Sequence, residues 1–160
     1  MVEWDKNTIL VLICATVVLI GSLVGWWSIR ETIMGISVSA GFNPFFGMRV
    51  VGTLLISPTV LTILAGLIAL IGGSLIFPAI KKPALGIIGG ILAIAGPILF
   101  IAAFYIDGIG TGYPLTPLNL FDSAQISSLY ITSFLGVGWF MCVIGGIVGI
   151  VGSTKVEKPL

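Results

Sequence analysis

Charged side chains are missing from four long stretches of this 160-residue chain: residues 7–29, 50–80, 83–106 and 123–154. An ionised side chain is costly in hydrocarbon, and a hydrocarbon core of ~30 Å takes ~20 apolar helical residues to cross. Each of the four stretches is long enough. Backbone polar groups find no water in lipid, so a crossing segment is a helix or a strand of a closed barrel. A barrel strand would show ~10 residues of alternating polarity. These runs are longer and continuously apolar. The pattern predicts an all-α membrane protein, a four-transmembrane-helix bundle forming a single transmembrane domain over residues 1–160.

Composition points the same way. Hydrophobic residues make up 58% of the chain and charged residues 8%, where a soluble domain carries about a quarter charged residues. So few charges cannot cover a water-facing surface. The formal net charge of +1 gives no electrostatic basis for binding nucleic acid. The first apolar run follows Lys6 and could pass for a signal peptide. It is longer than a signal h-region and no A-x-A-like site follows it, so it reads as a span.

The expected helices cover residues 8–29, 58–80, 84–106 and 129–153. Two outer loops, 30–57 and 107–128, separate them. Trp26 and Trp27 close helix one, where amphipathic rings favour the membrane–water interface. In the first loop, Ile36, Val38 and Ala40 alternate with Ser37 and Ser39, which predicts a short strand-like segment. Asn43-Pro44 marks a turn, and Phe45, Phe46 and Met48 make the next stretch apolar enough to lie on the membrane or the bundle. Ser57 and Pro58 suit the N-cap and first position of helix two. Pro97, inside helix three, removes a backbone hydrogen bond and predicts a kink.

Orientation follows from the cations. Lys6, Lys81, Lys82, Lys155 and Lys158 fall at one side, Arg30 and Arg49 at the other. The positive-inside bias therefore places a multi-pass protein in the cell membrane with both termini cytoplasmic and both long loops outside.

Small residues recur at four-residue spacing: Gly21 and Gly25 in helix one, Ala65, Ala69 and Gly73 in helix two, Gly86 and Gly90 in helix three. Helix four carries Gly138, Cys142 and Gly146, with Gly145 and Gly149 alongside. Burial alone does not join helices in lipid; close backbone approach at small-xxx-small faces does. These faces either hold the chain's own bundle together or, on helices three and four, serve a second subunit.

Chemistry is sparse. No ionisable residue falls within a span, which argues against a proton-coupled carrier or a charge-lined channel. Histidine is absent, which removes the commonest metal and haem ligand and the usual acid–base group. No catalytic residue, metal site or cofactor is expected. Cys14 and Cys142 sit at unequal depths of ~9 and ~16 Å from the lysine side, so they read as free, apolar packing residues. Trp139, placed mid-helix, needs an acceptor for its indole N–H, from a neighbouring carbonyl or a lipid or quinone site. Segment 107–112 lacks the acidic ligands of a calcium loop. Arg30 and Glu31 read as interfacial anchors, and Arg49 as a partner for Glu31, Asp107 or Asp122. Trp26, Trp27, Arg30, Phe45, Phe46 and Arg49 are the candidate outer contacts.

Helix three pairs Gly86, Gly89, Gly90 and Gly96 with a final Ala102, Ala103, Phe104 and Tyr105. Helix four carries Leu129-Tyr130, Gly138-Trp139 and Gly145-Gly146. With four spans, a longer first outer loop of strand character and a short basic turn between helices two and three, the chain resembles the claudin and peripheral-myelin-protein superfamily. The resemblance implies a four-helix membrane protein acting through its outer loops. Neither outer loop here holds the two cysteines typical of that group, so its loop disulfide, pore and adhesion roles do not carry over.

The functional expectation is a non-enzymatic scaffold or assembly protein. Its partners would be membrane lipids and either further copies of itself or other membrane subunits. An accessory subunit of a larger membrane complex, such as a respiratory one, and a small-solute channel remain the alternatives.

Overall fold

A computed structural model describes residues 6–50, 53–112 and 118–156. The chain runs α1 (Lys6–Leu23), β1 (Trp27–Ile33), β2 (Ile36–Asn43), β3 (Gly47–Val50), β4 (Thr53–Ile56), α2 (Val60–Ile76), α3 (Pro83–Ile106), β5 (Asp122–Ile126), β6 (Leu129–Leu135) and α4 (Val137–Thr154). Single 3₁₀ turns at Phe77–Ile80 and Ile109–Gly112 follow α2 and α3. Four helices are long and apolar enough to cross a membrane. The remainder departs from an all-α chain. Strand accounts for 22% of the residues, so the β structure is a domain-sized layer rather than a short segment of one loop.

All six strands form one antiparallel sheet in the order β4-β3-β2-β1-β6-β5. Four strands come from the connection after α1 and two from the connection before α4. The β1–β6 pairing, from Trp27 opposite Leu135 to Ile33 opposite Leu129, therefore welds the two outer connections into one body.

This sheet moves two helix ends. Helix one stops at Leu23 rather than near residue 29, and helix four starts at Val137 rather than near residue 129. Residues 27–29 and 129–135 are strand, and their apolar side chains Trp27, Ile29, Ile131 and Leu135 are buried in the protein. At the end of α1 the exposed carbonyls find substitutes. The Trp26 indole Nε1 donates to Gly21 O at 2.8 Å, and the Asn43 amide donates to Leu23 O and Val24 O. The Asn43 side-chain oxygen meanwhile accepts from Phe45 N at 2.8 Å and Phe46 N at 3.2 Å. One side chain thus ends a helix and closes the β2–β3 turn.

The cap of α2 is Thr59, not Ser57. Thr59 accepts from Thr62 N, and the Thr62 hydroxyl accepts from Thr59 N at 2.9 Å, a reciprocal capping box in which threonine stands where glutamate is usual. Pro83 opens α3, and Gly108 ends it in the left-handed region, φ 61°, where glycine carries no steric cost. Pro97 is accommodated within one unbroken α3.

The bundle packs as a ring in which α1 touches α2 and α4, and α3 touches α2 and α4. Glycines decide how close the helices come. A Cβ on Gly72 would stand 2.5 Å from Ala93 N, one on Gly90 2.6 Å from Gly146 O, and one on Gly138 2.5 Å from Gly21 O. Asn7 Nδ2 donates to Lys155 O at 2.9 Å, so the start of α1 and the end of α4 meet at one end of the bundle. The sheet occupies the opposite end. Between sheet and bundle lies an aromatic cluster. Trp26 meets Phe100 edge-on at 5.5 Å between ring centres, and Trp27 meets Phe104 edge-on at 4.8 Å.

Candidate functional site

Every small residue named as a candidate packing face in the helices is buried within the chain: Gly21, Ala65, Ala69, Gly73, Gly86, Gly90, Gly138, Gly145 and Gly149. None of them is left for a second subunit. Gly25 belongs elsewhere. It follows α1 and lies against the strand backbone, where an added Cβ would come within 3.3 Å of Gly41 Cα.

Trp26 and Trp27 are corrected as outer contacts. Both are fully buried, Trp27 as the first residue of β1, because the sheet rather than the bilayer interface receives their rings. The Trp27 Nε1 has no hydrogen-bond partner among the described residues. Trp139 also moves. It is the third residue of α4, near the sheet end rather than at mid-membrane, and its Nε1 donates to Pro97 O at 3.0 Å. Phe45 is half-buried, its ring lying where a Cβ on Gly66 would come within 2.8 Å. Phe46 stays exposed. The Arg49 side chain lies outside the described residues. Of its three candidate partners, Asp107 accepts from the Thr59 hydroxyl, and Asp122 accepts from Ser123 N at 2.8 Å and Asn119 N at 3.3 Å. Cys14 and Cys142 are free and buried. Among the described residues no group of three or more His, Cys, Asp or Glu could hold a metal ion.

What remains is the sheet, and its two faces differ. Successive strand residues point to opposite sides. Trp27, Ile29, Glu31 and Ile33 of β1 share one face. Register sets Phe42, Ala40, Val38 and Ile36 of β2 beside them, and Leu135, Ser133, Ile131 and Leu129 of β6 on the other flank. Near the helices this face is buried: Trp27, Ile29, Phe42, Ile131 and Leu135 belong to the core. The Ser133 hydroxyl, the polar member there, donates to Asn119 O at 2.7 Å. The opposite face carries Ser28, Arg30 and Thr32 with Ser37, Ser39, Tyr130, Thr132 and Phe134. On it the Arg30 guanidinium lies 6.0 Å from the centre of the Phe134 ring, and Thr32 and Ser37 share a hydroxyl–hydroxyl bond of 2.8 Å.

The apolar face runs on past the part that the chain itself covers. At the far end of the β1–β2 hairpin, Ile33 is 46% exposed, Val38 56%, Ile36 73% and Met34 88%. These four and Glu31 line a half-open cleft of about 270 Å³. The hairpin turns through Met34 at φ 49° and Gly35 at φ 83°, the geometry of a type I′ turn. Sequence reasoning missed this site because it treated residues 30–57 as a loop with one strand. Two alternating runs flanking Met34-Gly35, with Ile29, Glu31 and Ile33 before and Ile36, Val38 and Ala40 after, were the available hairpin signal.

No family model and no curated protein matches the chain.

Proposed function

We propose that this chain is a non-enzymatic membrane scaffold that contacts another protein through its sheet, with the helical bundle as its anchor. The observation that carries the proposal is the exposed aliphatic end of the β1–β2 hairpin. Four large apolar side chains gather there on one face, outside the bundle, where a water-facing surface would ordinarily scatter them. The buried glycine seams support assigning contact to the sheet rather than to the helix faces.

The proposal places the sheet outside the cell and both termini in the cytoplasm. Lys6, Lys81, Lys82 and Lys155 at the bundle end away from the sheet support this, by the positive-inside bias.

Gentle extraction from native membrane in mild detergent, followed by sizing, tests the scaffold proposal. A stoichiometric complex with a second protein is expected. A clean monomer with nothing co-purifying would sink it.

A further inference from the structure

We propose that the cleft at the end of the β1–β2 hairpin docks a polypeptide segment that presents an apolar side chain next to a lysine or arginine. The inference rests on the scaffold proposal and gives the partner's chemistry at that same surface.

The apolar half of the recognition is the lining itself. Ile33, Met34, Ile36 and Val38 leave room for one large aliphatic or aromatic side chain in about 270 Å³. Met34 is a flexible, polarizable rim that adapts to different shapes.

The cationic half comes from Glu31, the one charged residue lining the cleft. Its cross-strand neighbours are Val38 and Ile131. Arg30, adjacent in sequence, is turned to the other face and lies over Phe134. Arg49 belongs to β3, which pairs with β2 only at Phe42 and Asn43, the strand end remote from the cleft. A carboxylate set among aliphatic groups, with the adjacent Arg30 on the other face, is complementary to a cation brought by a partner. An ionised carboxylate lining the cleft is costly to bury in hydrocarbon, which argues against a lipid chain as the occupant.

The turn adds an independent sign. Met34 holds φ 49°, a left-handed conformation that asparagine or glycine adopts more readily. It is also the most exposed large apolar residue of the hairpin. A bulky apolar side chain is thus kept in a strained backbone conformation and turned to solvent. Strain retained in this way marks a functional position.

The test uses the full chain in its native membrane, with photoreactive p-benzoylphenylalanine replacing Met34 in one variant and Ser39, on the opposite face of β2, in another. The Met34 probe is expected to capture one protein at an apolar position within two residues of a lysine or arginine. Glu31→Arg is expected to reduce that adduct at least ten-fold and Glu31→Gln two- to five-fold, with unchanged melting in detergent. Capture at Ser39 should not respond to Glu31. Met34 adducts to lipid, to a second copy of this chain, or to a protein irrespective of the charge at Glu31 would overturn the inference. Protein capture at Ser39 without capture at Met34 would overturn it and leave the scaffold proposal standing. Absence of protein capture at both positions would overturn both.

Discussion

Replacing Gly72 by alanine puts a methyl carbon where the backbone of α3 already stands. The new Cβ would lie 2.5 Å from Ala93 N and 2.6 Å from Gly89 O, both main-chain atoms that no rotamer change can move. Ordinary van der Waals contact begins at 3.4 Å, so α2 and α3 must separate by about 0.9 Å, a gap that forfeits a quarter to a half of each contact's attraction. With ~40 atom contacts along the seam at ~0.15 kcal/mol each, the loss comes to about 1.5–3 kcal/mol. Alanine returns up to ~1 kcal/mol through its helix propensity. A net destabilisation of about 0.5–2 kcal/mol is expected. Reversible unfolding by dodecyl sulfate in mixed micelles, followed by helicity and tryptophan fluorescence, measures it. Ser74→Ala is the control: Ser74 is exposed on the same helix and its hydroxyl only returns to Leu70 O, so its effect should stay within ~0.5 kcal/mol. The seam is reciprocal, since a Cβ on Gly89 would stand 2.6 Å from Gly72 O. Once one alanine has opened the gap, Gly89→Ala should add much less than it costs alone. A Gly72→Ala protein as stable as the parent would refute the argument that glycine backbone contact sets the helix spacing.

Three further outcomes are expected in the same assay. Met34→Asn should stabilise the chain by ~1 kcal/mol by relieving the left-handed turn. A loss of stability would show that the methionine belongs to the fold. Asn43→Ala should cost ~2–3 kcal/mol, because it strands the last carbonyls of α1 and the amides of the β2–β3 turn together; a change under 0.5 kcal/mol would mean water replaces the amide freely. Trp26→Phe should cost ~1–2 kcal/mol more than Trp27→Phe, since only the Trp26 N–H has a bonded acceptor among the described residues and its removal leaves Gly21 O buried without that donor. Equal losses would contradict the assignment of that bond.

The spans were legible because exclusion of charge from lipid is a strong, additive rule, and residues 60–76 and 83–106 obey it without interference. The ends of α1 and α4 were not legible. Trp27, Ile29, Ile131 and Leu135 satisfy the same hydrophobicity criterion while facing a sheet-covered core, and hydropathy cannot tell lipid from a protein interior. Period carried the missing information. Leu129, Ile131, Ser133 and Leu135 alternate with Tyr130, Thr132 and Phe134, a strand signature hidden inside a charge-free run. Gly25, taken for a packing face, lies where helix gives way to strand, and Gly136, taken for a helix interior, lies where strand gives way to helix. The far cleft was hidden for a different reason. It depends on the pairing of residue 31 with residues 38 and 131, and long-range register leaves little trace in one sequence.

The pairing of β1 with β6 also sets a timetable. Roughly a hundred residues separate the two strands, and at ~5–20 residues per second a ribosome takes about 5–20 s to deliver the second after the first. Through that interval β1 has no β6 beside it, and its edge is a template for any other extended chain. With the sheet outside the membrane, as proposed, it closes only when the last helix has entered the bilayer. Insertion of α4 is thus the event that ends the chain's exposure to mispairing, and slowing that step alone should raise aggregation without changing any contact in the finished molecule.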